Sequence, residues 1–142
     1  MTLLATPPAQ TGPTGHPLVD LLVTREGYPH MRDTAELDAH INAPGVHCVF
    51  LPGEVARNLE TPDVAVVLPE LRMTFQGAFD CAVAQDEAEK EVKERIAIHK
   101  TPSLVFFRDG RFLSALPRVR DWSDYMTRIP QILAMPTPAP DA

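Results

Sequence analysis

The sequence predicts an α/β domain whose mixed central sheet, parallel strands plus a C-terminal antiparallel hairpin, is flanked by helices. Three observations carry that prediction. "VHCVFL" at residues 46–51 and "FDCAVAQ" at residues 79–85 are almost continuously apolar, as strands covered on both faces are. The segment between them has helical length, and a strand–helix–strand unit makes its two strands parallel. "SLVFF" and "RFLSAL" flank Asp109-Gly110, a pair that permits the positive backbone angles of a type I′ turn, so this hairpin completes the sheet.

Along the chain, "PLVDLLVT" at residues 17–24 opens with a first-turn proline and spaces Leu18, Leu21 and Leu22 as a helix does. "DTAELDAHIN" begins with Asp33 or Thr34 as a cap and stops before Ala43-Pro44-Gly45, a second helix. In "TPDVAVVLPELRMTF" the valines favour a strand, but its length and Pro69 point to a helix kinked at that proline. After the second strand, Asp86 and Glu89 have the spacing of a capping arrangement, and Ala88, Val92 and Ile96 form a narrow apolar stripe. Glu89 with Lys93 and Glu91 with Arg95 are expected i,i+4 ion pairs. "DWSDYMTRIPQIL" sets Trp122, Tyr125, Met126, Ile129 and Leu133 on one face of a last helix, with a kink expected at Pro130.

Both ends are rich in proline and read as tails, residues 1–16 and 136–142, around a folded body at 17–135. The 142 residues are enough for one core, and 44% hydrophobic with 23% charged residues is a globular composition. No apolar run reaches the ~20 residues that span a bilayer, and no segment reads as a secretory signal, so the cytoplasm is the expected compartment. A formal charge of -6 argues against nucleic acid as a partner. His16, His30, His40, His47 and His99 lack the paired spacing of zinc sites, and a His40/His47/Cys48 group would be ad hoc, so no metal or other cofactor is expected.

"TPSLVFFRDGRF" at residues 101–112 resembles the cis-proline loop and final hairpin of thioredoxins, and Pro69 in "VVLPEL" resembles the proline of the thioredoxin active-site helix. The resemblance implies a cis Thr101-Pro102 bond. In thioredoxins two cysteines flank the start of that helix, and counting back from Pro69 puts Thr61-Pro62-Asp63-Val64 in their place. Dithiol chemistry needs a low-pKa thiolate at a helix N-terminus and a resolving thiol, and neither threonine nor valine supplies one. Cys48 and Cys81 lie inside apolar strands, where a thiol behaves as a small hydrophobe; a thiol–disulfide oxidoreductase using either is the alternative enzyme reading.

"DVAVVLPEL", "LVFFRDGRFL" and "LPRVRDWSDY" together resemble the HyaE/HupG family of accessory proteins for [NiFe] uptake hydrogenases, over residues 18–133. The resemblance implies a non-redox chaperone, not an enzyme, that binds the hydrogenase small subunit, including its twin-arginine signal peptide, before export. A scaffold that binds another hydrogenase accessory protein is the other reading. On either, the expected partner surface comprises Glu60, Thr61, Pro62, Asp63, Glu70, Thr101, Pro102, Arg118, Arg120 and Trp122. The backbone of Thr101 is expected to pair with an extended peptide. Glu60 and Asp63 either complement the helix dipole or receive partner arginines. Arg118 and Arg120 are either solvated or paired with Asp121 and Asp124, and Trp122 is either packed or an exposed contact.

Overall fold

Apolar strands alternating with amphipathic helices leave each strand face in need of a cover, and the chain supplies helices to both. The computed structural model describes residues 12–54 and 57–139; the rest of the expected tails, residues 1–11 and 140–142, lies outside them. In order come α1 (Pro17–Thr24), β1 (His30–Met31), α2 (Thr34–Ile41), β2 (Val46–Leu51), α3 (Thr61–Thr74), β3 (Phe79–Ala84), α4 (Asp86–Ile96), β4 (Ser103–Arg108), β5 (Arg111–Pro117) and α5 (Trp122–Leu133). The sheet runs β1-β3-β2-β4-β5. β1 and β2 lie parallel to β3, while β4 runs antiparallel to β2 and β5 to β4.

Period-2 alternation sorts the strand residues between two cores. Cys48, Phe50, Phe79, Cys81, Val83, Leu104 and Phe106 face α1, α3 and α5, which contribute Val19, Leu22, Val64, Leu68, Tyr125 and Ile129. Val49, Leu51, Ala82, Ala84, Val105 and Phe107 face α2 and α4, which contribute Leu37, Ile41, Ala88 and Val92. The result is a three-layer α/β/α sandwich. Among the described residues no helix is long and apolar enough to cross a membrane.

The expected elements are all present, with local differences. β1 is an addition, a two-residue strand beside β3. The Asp109-Gly110 turn has φ of +55° and +75°, as a type I′ turn requires. α2 is capped by Asp33, whose carboxylate accepts from Glu36 N at 2.8 Å. The capping arrangement expected of Asp86 and Glu89 does not form, because both carboxylates bond elsewhere. Asp86 accepts from Arg32 Nε at 2.7 Å and Glu89 from Gly53 N at 2.6 Å. That bond draws Glu89 back toward the loop after β2, and of the two expected ion pairs only Glu91–Arg95 closes, at 2.7 Å. On α5 the buried face is Tyr125, Ile129 and Ile132, while Trp122 stays 43% exposed. Thr14, ahead of α1, is buried, with its hydroxyl on Asp20 and its carbonyl accepting from Gln85 Nε2.

Candidate functional site

β2 ends at Leu51 and the chain must turn before α3 begins at Thr61. Gly53 makes that turn with φ +74°, and a Cβ there would collide with the Thr101 side chain and the Asn58 amide. The loop after β2 is therefore pressed against the segment before β4. Between them lies a cleft of about 290 Å³ lined by Arg57, Asn58, Leu59, Glu60, Thr101, Pro102 and Arg118.

The Thr101-Pro102 bond is cis, as the resemblance implied. Thr101 Oγ1 donates to Asn58 Oδ1 at 3.2 Å, and the Pro102 carbonyl accepts from Arg118 N at 2.6 Å. Among the described residues neither the N–H nor the carbonyl of Thr101 has a hydrogen-bond partner. An open donor and acceptor on one residue, beside the edge of a cleft, are what an added extended strand engages.

The helix start is built differently from the expectation. Thr61 is fully buried, and its hydroxyl donates to the Pro52 carbonyl at 2.7 Å. It therefore drops out of the partner surface: its side chain closes the end of β2 onto α3. Val64, one turn on, is buried too, at 1% exposure. Pro62 is half-buried and Asp63 exposed on the first turn. Glu70 lies away from the cleft, in a separate groove between α1 and α3 with Leu18, Val66 and Met73.

Glu60 is not an open acceptor. Its carboxylate takes Arg118 Nη2 at 2.5 Å, Arg118 Nε at 3.2 Å and Val119 N at 2.8 Å. The Arg118 hydrogen bonds, then that of Val119, hold the carboxyl below its ordinary value. Arg118 thus pairs across the cleft with Glu60 and not with Asp121. Arg120 turns the other way, onto Asp124 at 2.9 Å, and so lies outside the cleft wall. Leu59, 89% exposed, stands on the cleft lining, while Val119 and Trp122 are exposed just beyond Arg118. Leu59 and Val119 escaped the sequence reading because an isolated apolar residue in a loop has no period to mark it. Their signal is exposure, which only the fold reveals.

Cys48 and Cys81 are register partners across β2 and β3, and both are buried free thiols. Burial, with the Cys81 contact second, pushes the Cys48 thiol well up, opposite to what a nucleophile needs.

Two solved thioredoxins share this architecture. That of Plasmodium falciparum superposes with a TM-score of 0.57 at 17% identity, covering 74% of this chain and 95% of the other. That of Malassezia sympodialis gives 0.60 at 16%, covering 75% and 91%. The fold and the cleft define a thioredoxin-like domain in which buried Thr61 and Val64 occupy the first turn of the proline-containing helix. The chain matches the family of hydrogenase-1 expression protein HyaE over residues 18–125, and it belongs to that family. The hydrogenase expression/formation protein HupG of Rhodobacter capsulatus is 52% identical over 129 residues, 89% of this chain and 94% of that protein. The HoxO proteins of the same description from Cupriavidus necator and Azotobacter vinelandii are 44% and 39% identical, covering 69% and 84% of this chain and 63% and 79% of their own lengths. Membership ties the chain to hydrogenase maturation.

Proposed function

We propose that the protein is a non-redox chaperone of hydrogenase maturation that holds the hydrogenase small subunit, with its twin-arginine signal peptide, in the cytoplasm before export. The observation that carries this reading is the cleft itself. It keeps the cis-proline wall and the open Thr101 backbone but has a buried threonine and valine on the helix turn that faces the wall. Such a cleft is suited to binding an extended segment by backbone pairing and has no thiol to exchange with it. Exposed Leu59, Val119 and Trp122 provide the apolar anchors that interfaces concentrate near their centres. Asp63 is the carboxylate of the helix start that is left for a partner's arginine, since Glu60 is engaged by Arg118.

Titration calorimetry tests this with the small subunit bearing its leader, the subunit without it, and a leader peptide with both arginines replaced by glutamine. Binding to the first alone, or more tightly to the first than the second, is the expected result. Equal binding of the first two assigns recognition to the mature subunit. No binding to any of them overturns the reading in favour of a scaffold for another accessory protein.

A further inference from the structure

At the far end of the sheet from the cleft, about 16 Å away along β2, three side chains from three elements converge. His47 is the second residue of β2 and Asp80 the second of β3, and they are register partners in the parallel pair. His40 comes from the last turn of α2. His47 is 1% exposed. Its Nε2 lies 2.7 Å from the Ala43 carbonyl. A carbonyl only accepts, so Nε2 carries a hydrogen and donates it. In a neutral ring that leaves a lone pair on Nδ1, and Nδ1 faces the Asp80 Oδ1 at 2.7 Å. His40 Nε2 is buried with no hydrogen-bond partner among the described residues, and lies 3.2 Å from the same oxygen. A lone pair on His47 Nδ1 and a carboxylate oxygen 2.7 Å apart need something positive between them, a proton or a metal cation, and His40 Nε2 stands beside the same oxygen.

We propose that His40, His47 and Asp80 form a three-ligand site for a divalent ion of the zinc class, with water as the fourth ligand. One ligand atom from each already lies within 4.8 Å of the others. The donor set of two imidazoles and a carboxylate is one that zinc takes. The bond from His47 Nε2 to a backbone carbonyl is the outer contact that fixes the tautomer and orientation of a metal-bound histidine. Asp80, with 47% of its side chain exposed, leaves a path to solvent and room for the water. Ligand atoms around a tetrahedral zinc stand about 3.3 Å apart. The half-exposed Asp80 carboxylate accordingly swings back by a few tenths of an ångström and the His40 ring turns inward. Cys48 takes no part, because it points to the opposite face of the sheet. Closed in this way, the site pins the C-terminal end of α2 to the N-terminal ends of β2 and β3.

The test uses the full chain, free of any histidine tag and stripped with chelator. Titration with Co²⁺ is expected to develop the intense visible bands of a tetrahedral ion at about one equivalent, and Zn²⁺ to bleach them. Zn²⁺ should also raise the melting temperature of the wild type. His40 and Asp80 are both partly exposed, and His40→Ala and Asp80→Asn, each checked for a cooperative melt without metal, should weaken binding at least about tenfold and abolish the thermal shift. His30→Ala and His99→Ala should leave both readouts unchanged. Absence of the bands in the wild type, or stoichiometric binding that survives His40→Ala and Asp80→Asn, overturns the proposal and leaves a proton-linked histidine–aspartate pair.

Discussion

Replacing Thr61 with valine probes the turn where thioredoxin chemistry would reside. The substitution keeps volume and branching but removes the hydroxyl that donates to the Pro52 carbonyl at 2.7 Å. Pro52 is buried, and the change leaves its carbonyl with no hydrogen-bond donor among the described residues. An orphaned buried polar group costs about 1–3 kcal/mol. For a domain of this size that corresponds to a fall in melting temperature of roughly 3–10 °C. Thr61→Ser keeps the donor and loses only a methyl group, a cost of about 1 kcal/mol. Urea denaturation of the three proteins with matched slopes gives the ordering directly. Small-subunit affinity, expressed per folded molecule, should be the same for all three, because Thr61 is fully buried. A Thr61→Val protein within ~0.5 kcal/mol of wild type would refute the hydrogen-bond account, and a selective loss of affinity would return Thr61 to the partner surface.

Trp122→Ala should leave stability within about 1 kcal/mol, since the side chain is 43% exposed, while lowering small-subunit affinity roughly five- to thirtyfold; unchanged affinity would place the contact elsewhere. Burial above all raises the Glu89 carboxyl above its ordinary 4.5, against the lowering effects of Lys93 and the Gly53 N–H. Its folded value thus exceeds its unfolded one, so its contribution is fully present below the unfolded value and is lost as pH rises through the folded one. Glu89→Gln, which keeps an acceptor for Gly53 N, should therefore rise relative to the wild type in urea midpoint between pH 4 and pH 7, and a midpoint that falls relative to the wild type as pH rises would contradict the burial account. Cys48 and Cys81 should resist an aromatic disulfide reagent until urea unfolds the chain, and the native protein should not accelerate insulin-disulfide reduction. Rapid labelling of either cysteine in the folded state would revive the oxidoreductase reading.

Local chemistry decided which parts of the structure were readable from sequence. The Asp109-Gly110 turn, the Asp33 cap and the two apolar strands are specified by residues within a few positions of one another, and they stand as expected. β1 was not readable, because two residues cannot display a period. The Asp86–Glu89 spacing misled because Glu89 had a distant rival partner in Gly53, 36 residues away, which no local pattern reports. The cleft was placed by Pro69 and Thr101-Pro102, but its inner bonding was not, since the Glu60–Arg118 pair joins positions 58 apart. His47 and Asp80 meet only through the parallel register of β2 and β3, so histidine spacing along the chain had no bearing on them.

The engagement of Glu60 by Arg118 turns any outside claim on that carboxylate into a competition. Arg118 is a tethered rival, held at high effective concentration by the backbone bond from its N–H to Pro102 and by the Val119 N–H on the same carboxylate. An incoming arginine that took Glu60 would release one guanidinium for each one gained, so the count of ion pairs would not change and added salt would shift that step little. Charge alone therefore gives a visitor no foothold at this position. On the reading proposed above, discrimination would rest on whatever else the visitor brings, a strand to pair with Thr101 and apolar side chains to meet Leu59 and Trp122, with Arg118 standing in for a cationic ligand at Glu60.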